Sequence, residues 1–243
     1  MRVRFEQGLV LPAPALLMAL SLTLGAGCAS KSLDEPGSGS DTPNPGAGNQ
    51  SGGGSDSGAV TPDYRRQDYP AGPYGVGLGA TLEDFAFLGW RDPVASNYDI
   101  ERMETVRLSE FYNPDGRSGI KLIWINASAV WCTVCRAEMK DINNQNIKET
   151  MGPKGLQLIE TLFEDNDSLP AKPLDLQQWG RVPDHEIDFP LVLDPGFKLG
   201  AFFTSDATPL NMLVDARTMQ VVDLTMGYSG DYWQRVDEHI SEL

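Results

Sequence analysis

Cysteine and histidine are scarce in this chain. Only three cysteines and two histidines occur among its 243 residues. A closed zinc site takes four ligands, usually supplied as two spaced pairs. The chain has one close cysteine pair, and neither His185 nor His239 stands at ligand spacing. This scarcity disfavours a zinc centre, and we predict no metal ligand and no bound cofactor.

Positive charge is also in short supply. The chain carries 19 Lys and Arg against 34 Asp and Glu, a formal net charge of −15. Nucleic-acid binding needs a basic face that neutralises phosphates, so nucleic acid is excluded as a predicted partner. The same charge disfavours electrostatic adhesion to anionic lipid. The simplest interpretation of the acidic excess is a well-solvated surface.

The chain has one extended apolar run, close to its start. It extends from Leu9 to Leu24 and is interrupted by Pro12 and Pro14. At about 16 residues it is short for a membrane-spanning helix, which needs about 20. A positively charged start precedes the run, and the small-residue segment Gly25-Ala26-Gly27-Cys28 follows it. This order is typical of a secretory signal.

The segment ending at Cys28 resembles the lipobox of bacterial lipoproteins. The resemblance implies that residues 1–27 form a lipoprotein signal peptide and that Cys28 becomes the lipidated first residue. It places the protein in the cell envelope, facing the periplasm or exterior. Ala29 and Ser30 carry no acidic retention signal, so the outer membrane is favoured over the inner. Lipoboxes usually have Leu where Gly25 stands, so ordinary secretion and an uncleaved anchor stay open as alternatives.

Composition divides the rest of the chain in two. Residues 28–74 are dominated by Gly, Ser, Pro and Asp. Such a segment cannot bury enough apolar surface to offset its ordering entropy, so we predict a flexible tether. Residues 75–243 alternate predicted strands and helices and suit one domain with a full core. The last two predicted strands, Leu210–Val214 and Gln220–Met226, form a hairpin.

The segment Trp131-Cys132-Thr133-Val134-Cys135 carries the chemistry. The apolar run Ile120–Ile125 before it predicts a buried strand, and a helix is predicted from Cys132 to Thr150. Two thiols at the first turn of a helix can close a small disulfide ring, and the helix N-terminus makes the first sulfur easier to ionise. The pair predicts thiol–disulfide chemistry. A zinc half-site and an inert structural bridge remain as alternatives.

Several segments together resemble the TlpA/ResA-like exported thioredoxins. The matching segments are Thr81–Phe85, Asn126–Cys132, Cys135–Met139, Phe189–Asp194 and Thr208–Leu210. The similarity covers the chain from about Thr81 to its C-terminus. It implies an α/β, thioredoxin-like fold with a central mixed sheet and helices on both faces.

The resemblance also implies roles for individual residues. Cys132, as the more exposed sulfur, attacks a substrate disulfide, and Cys135 releases the resulting mixed disulfide. Trp131 flanks the exposed site. Thr208 and Pro209 occupy the place where the fold keeps a cis proline that faces the disulfide and binds extended substrate.

The resemblance also implies an acidic group near the sulfurs. Glu138 lies about one helical turn after Cys135. In the ResA-like branch an acid here sits near the thiols and raises their pKa or moves protons; a solvated surface carboxylate is the alternative. Asn126 stands where ordinary thioredoxins carry a buried Asp. Because Asn cannot act as a base, proton transfer must use Glu138 or water.

The sequence departs from the family at the residues between the cysteines. Thr133-Val134 lacks the usual Pro, so no reduction potential can be assigned. Ala129 stands where peroxiredoxins need Thr, and His185 is a poor match to the distal ligand of copper chaperones.

We predict a membrane-tethered thiol–disulfide oxidoreductase with a protein substrate and an upstream redox partner. The alternatives are a binding or structural module with an inert disulfide, and a copper-handling or peroxide-reducing relative.

Overall fold

The computed structural model describes residues 68–243. The predicted signal peptide, the lipidation site Cys28 and the tether up to residue 67 lie outside the described residues. None of the helices in the described part is both long and apolar enough to cross a membrane. At its start the hydroxyl of Tyr69 donates a 2.8 Å hydrogen bond to the carbonyl of Leu82, which attaches this segment to the domain.

A seven-stranded mixed sheet forms the centre of the domain. Its spatial order is β2-β1-β5-β4-β3-β6-β7. The strands are β1 (Ala86–Trp90), β2 (Glu104–Arg107), β3 (Leu122–Ala129), β4 (Leu156–Glu164), β5 (Leu191–Leu193), β6 (Leu210–Asp215) and β7 (Gln220–Met226). The helices are α1 (Thr133–Asn144), α2 (Ile147–Met151), α3 (Pro173–Gly180) and α4 (Tyr232–Glu242).

The connections follow from strand direction. Strands β3, β4 and β5 are parallel, while the outer pairs are antiparallel. Parallel neighbours need a crossover, and helices supply it: α1 and α2 between β3 and β4, and α3 between β4 and β5. The hairpin β6–β7 turns at Asp215, whose carbonyl accepts from Met219 N at 2.8 Å. The predicted mixed α/β sheet is confirmed.

Helical segments cover both faces of the sheet. Side chains of α1, α3 and α4 contact Asn126, Glu160 and Trp124, which share one face. The 3-10 helix Lys198–Phe202 lies on the other side, where aromatic rings at its two ends contact Phe163 at centroid separations of 4.5 and 6.0 Å. Both layers bury the central strands, and every residue of β3 is buried.

Two features of the structure differ from the sequence-based expectations. The helix predicted to run from Cys132 to Thr150 breaks after Asn144, because Asn146 adopts a left-handed conformation (φ 50°) that a right-handed helix cannot continue. Strand β2 was not predicted, since its short Glu-Thr-Val-Arg sequence lies at the sheet edge with one buried residue.

Candidate active site

The two cysteines of the motif form a disulfide at the start of α1. The bond joins Cys132 and Cys135 with an S–S length of 2.05 Å and a Cα–Cα separation of 5.3 Å. Cys132 is the N-cap of α1, and its sulfur accepts a 3.0 Å hydrogen bond from the backbone N–H of Cys135. The first sulfur therefore sits where backbone N–H groups and the helix dipole favour negative charge.

Access to the sulfurs is restricted. Cys132 is 2% exposed and Cys135 is fully buried, so the predicted difference in exposure exists but is small. Trp131, by contrast, is 39% exposed. Its indole N–H donates a 2.8 Å hydrogen bond to a carboxylate oxygen of Glu164, the last residue of β4. Trp131 is thus a surface residue beside the disulfide rather than a core residue.

The loop before β6 reaches the disulfide. The Thr208–Pro209 peptide bond is cis. The hydroxyl of Thr208 donates to Cys132 Sγ at 3.3 Å. The carbonyl of Pro209 accepts a 2.7 Å hydrogen bond from Gly227 N, which fixes the loop against the end of β7. The structure therefore brings together the cysteine pair and the Thr-Pro segment, which are 76 residues apart.

Glu138 is buried beneath the disulfide. It follows Cys135 by three positions, which places both side chains on one helix face. One of its oxygens, Oε2, accepts from Asn126 Nδ2 at 2.7 Å, and the other has no partner. Burial raises the pKa of Glu138 well above its ordinary value, and the nearby Glu160 raises it further. Glu138 is therefore suited to holding a proton, and it is not a solvated surface carboxylate.

Asn126 connects the polar groups below the sulfurs. Its side-chain oxygen accepts from Ser128 Oγ at 2.7 Å, and its amide also lies 3.1 Å from Asn211 Oδ1. Asn211 Oδ1 in turn accepts from Trp124 Nε1 at 2.7 Å. Asn126 and Asn211 are paired residues of β3 and β6, so the network extends across neighbouring strands. Buried amides in such a network hold Glu138 in place.

Glu160 is a member of the site that the sequence analysis did not select. It pairs with Asn126 in the β3–β4 register and is fully buried. Its Oε1 accepts from Trp179 Nε1 at 2.9 Å, and its Oε2 has no partner. Burial raises the pKa of Glu160 to about 8. The available signal was its position in the apolar run that contains Leu158, Ile159 and Leu162, since such a run is typical of a strand buried on both faces.

His185 is buried rather than exposed in a loop. Its ring packs 5.5 Å from that of Trp179, and its Nε2 has no partner. Burial lowers its pKa, so the ring is neutral near pH 7. Among the described residues, no group of three His, Cys, Asp or Glu side chains is arranged to hold a metal ion.

Replacing Asn126 by Ala is expected to destabilise the domain. The change removes the hydrogen bonds of Glu138 Oε2 and Ser128 Oγ in a site that water does not reach. Each unpaired buried polar group costs roughly 1–3 kcal/mol, so we expect a loss of about 3 kcal/mol in the free energy of unfolding. Urea unfolding measures it. Asn144→Ala at the exposed end of α1 is the matched control and should change stability by less than about 0.5 kcal/mol. Equal effects of the two changes would contradict the proposed network.

Comparison with known proteins identifies the fold. No family model matches the chain, and no curated protein matches its sequence. Among solved structures, a Chlorobium tepidum protein provisionally described as the thiol:disulfide interchange protein DsbE shares 20% identity at a TM-score of 0.51, covering 69% of this chain and 98% of that one. A Bacteroides thetaiotaomicron protein provisionally described as a protein disulfide isomerase shares 24% identity at a TM-score of 0.50, covering 70% and 91%. The chain therefore has the thioredoxin fold of these proteins.

Proposed function

We propose that this chain is a thiol–disulfide oxidoreductase whose working couple is Cys132 and Cys135. The observation that carries the proposal is the position of the disulfide, at the N-terminus of α1 and within hydrogen-bonding distance of Thr208. The two similar solved structures, both described by their thiol–disulfide activity, support it. Its substrate is a protein thiol or disulfide, and a separate upstream redox partner restores the starting state.

The chemistry proceeds by two exchanges at sulfur. A substrate thiolate attacks Cys132 Sγ; the Cys132–Cys135 bond breaks, and Cys135 leaves as a thiolate that takes up a proton. A second substrate thiolate then attacks the substrate sulfur of the mixed disulfide and releases Cys132 as a thiolate. The substrate is oxidised by two electrons and the enzyme disulfide is reduced. The same steps in reverse reduce a substrate disulfide.

The surroundings of the sulfurs suit an extended protein segment. Trp131 and Val134 present exposed apolar surface beside the disulfide. The Thr208 hydroxyl contacts Cys132 Sγ, and the resemblance to exported thioredoxins implies that the Thr208–Pro209 backbone pairs with an extended chain. Trp131, Thr208 and Pro209 are the proposed substrate-binding residues. Since Cys132 is 2% exposed, the substrate must displace neighbouring side chains to reach the sulfur.

A turnover assay tests this function. The protein is incubated with a disulfide-linked peptide and a small dithiol as reductant, and release of the reduced peptide is measured. We expect catalysis by the wild-type protein and background rates for Cys132→Ser and for the double serine variant. Turnover equal to background in the wild type would contradict the proposal. A second candidate function is a binding module with an inert disulfide, which the near-complete burial of both sulfurs favours. Wild-type turnover equal to background would support this second candidate.

The proposed location is the cell envelope. In this proposal residues 1–27 are a signal peptide, residues 28–74 are a tether and residues 75–243 are the catalytic domain. The support is the order of a charged start, an apolar run and Gly25-Ala26-Gly27-Cys28. A lipid on Cys28 would hold the domain on the outer membrane, facing the periplasm or exterior.

Lipidation at Cys28 is directly testable. We expect a Cys28→Ala variant to leave the membrane fraction or to remain an unprocessed precursor, because no thiol is present to accept the lipid. Fractionation and mass spectrometry of the mature N-terminus measure both outcomes. Ser30→Ala, two residues further on, is the matched control and should fractionate as the wild type does. A mature wild-type protein that starts elsewhere and carries no acyl chain would disprove the anchor.

A further inference from the structure

Two buried carboxyl groups, those of Glu138 and Glu160, neighbour Asn126. Glu138 from α1 hydrogen-bonds to Asn126, and Glu160 is the register partner of that same Asn126 on β4. Both side chains are fully buried. Each has one oxygen that is bonded and one, Glu138 Oε1 and Glu160 Oε2, without a partner. The proposed exchange steps name no donor for the proton that Cys135 takes up, and they leave Glu160 and these two oxygens unexplained.

No lysine or arginine forms an ion pair with either carboxyl in the part of the chain that the structure describes. No lysine or arginine residue in that part is buried as a whole. On the α3 side Trp179 donates to Glu160 Oε1, and the guanidinium of Arg136 lies 5.9 Å from the ring centroid of that tryptophan. His185 packs on the same tryptophan and is neutral because burial lowers its pKa.

The remaining neighbours also favour protonated carboxyls. Asp141 on α1 and Tyr228 after β7 lie close to Glu138, and the hydroxyl of Tyr228 donates to Asp141 Oδ2 at 2.8 Å. The buried hydroxyl of Tyr232 on α4 has no partner. Apart from Arg235, whose guanidinium lies 5.2 Å from the ring centroid of Tyr232, these groups are acidic or neutral. Two uncompensated carboxylates in one buried cluster would each carry a desolvation penalty of several kcal/mol, and they would also repel each other.

We propose that Glu160 is a positioning residue of the redox site: it and Glu138 titrate as a coupled pair that retains a proton beneath Cys135. This inference rests on the proposed function and deepens it. When the disulfide is attacked, the leaving Cys135 thiolate takes a proton from Glu138, and the pair is left with one additional negative charge. In the reverse direction the Cys135 thiol returns its proton to Glu138 as its sulfur attacks. Glu160 does not touch the sulfur; it sets the pH range over which Glu138 holds the proton.

Carbon NMR of protein labelled at the glutamate side-chain carboxyls tests the coupling. The Glu138 and Glu160 signals are assigned from Glu138→Gln and Glu160→Gln and titrated in the oxidised protein. In Glu160→Gln we expect the midpoint of Glu138 to fall by at least about one pH unit, the coupling that marks a shared titration. Glu138→Gln should lower the midpoint of Glu160 in return. Asp194→Asn, which changes a buried carboxyl at the end of β5, is the control and should leave both midpoints in place.

Each outcome decides the proposal. If Glu138 titrates identically with and without Glu160, the pair is not coupled and the inference is wrong. Should Glu160→Gln fail to fold, the reciprocal Glu138→Gln measurement decides alone. A second readout is the pH–rate profile: its limb for loss of the Glu138 proton should move to lower pH in Glu160→Gln, which a merely structural role would not produce. Because the NMR titration needs no turnover, coupled midpoints without catalysis would overturn the proposed function only, and catalysis with independent midpoints would overturn the pair only.

Discussion

A Cys135→Ser variant is expected to accumulate a mixed disulfide through Cys132 when it is offered a disulfide-linked peptide. Cys132 lies at the N-terminus of α1 and accepts hydrogen bonds from Cys135 N and Thr208 Oγ1, so its thiolate is stabilised and attacks. With serine at 135 no second thiol remains to release the peptide. Turnover should fall to background while the adduct persists. Non-reducing electrophoresis and intact mass spectrometry measure the adduct.

The matched control is Cys132→Ser. The remaining thiol at 135 is fully buried, so we expect at least about tenfold less adduct, since thiol–disulfide exchange requires access to the attacking sulfur. Equal adduct from the two variants would contradict the assigned roles of the sulfurs. Absence of adduct from both would contradict exchange chemistry and favour an inert bridge.

Stability should fall as the pH rises from about 4.5 to about 8. Burial raises the pKa of Glu160 from 4.5 to about 8, so across this range the folded protein holds a proton that the unfolded chain has released. Because the folded state binds one more proton than the unfolded chain in this range, the free energy of unfolding falls as the pH rises. The total decrease from this group is on the order of 5 kcal/mol. The stabilising contribution is fully present below 4.5 and is lost as the pH approaches 8. Urea unfolding of the oxidised protein at several pH values measures the slope.

Glutamine variants show which carboxyl groups cause this pH dependence of stability. Glu160→Gln keeps an acceptor for Trp179 Nε1 but cannot ionise, so it should flatten part of the dependence. Because burial also raises the pKa of Glu138, the double variant with Glu138→Gln should flatten most of it. A pH dependence that is the same in the wild type and in the double variant would show that neither carboxyl is held neutral by burial.

Parts of the fold could be predicted from local sequence patterns, namely apolar runs and the turn residues that end them. The apolar run before the cysteine pair lies in β3, every residue of which is buried, and the predicted bounds of β7 match the observed ones. Alternation and turn residues specify such elements locally. The break at Asn146 was not predictable in this way, since the helical pattern continues to Ile147 and the left-handed residue depends on packing.

Some residues of the candidate site could be selected from the sequence because they stand at fixed spacings within family motifs. The cysteine pair, Glu138 and the Thr-Pro segment could be selected because a known family fixes their places. Glu160 could not, because its role depends on the register that sets β4 beside β3 and on the indole of Trp179 above it. The sequence identifies the residue, but only the three-dimensional arrangement shows that Asn126 bonds Glu138 and is the register partner of Glu160.

The most direct test of the account is the redox equilibrium of Cys132 and Cys135 in the native protein. The protein is equilibrated with a series of thiol–disulfide buffers, and the fraction oxidised is read by alkylation and mass spectrometry. We predict reversible exchange without unfolding, with a potential between roughly −270 and −120 mV, the span of thioredoxin-fold catalysts. A disulfide that resists these buffers until the protein unfolds, with a potential below about −300 mV as in structural bridges, would contradict it.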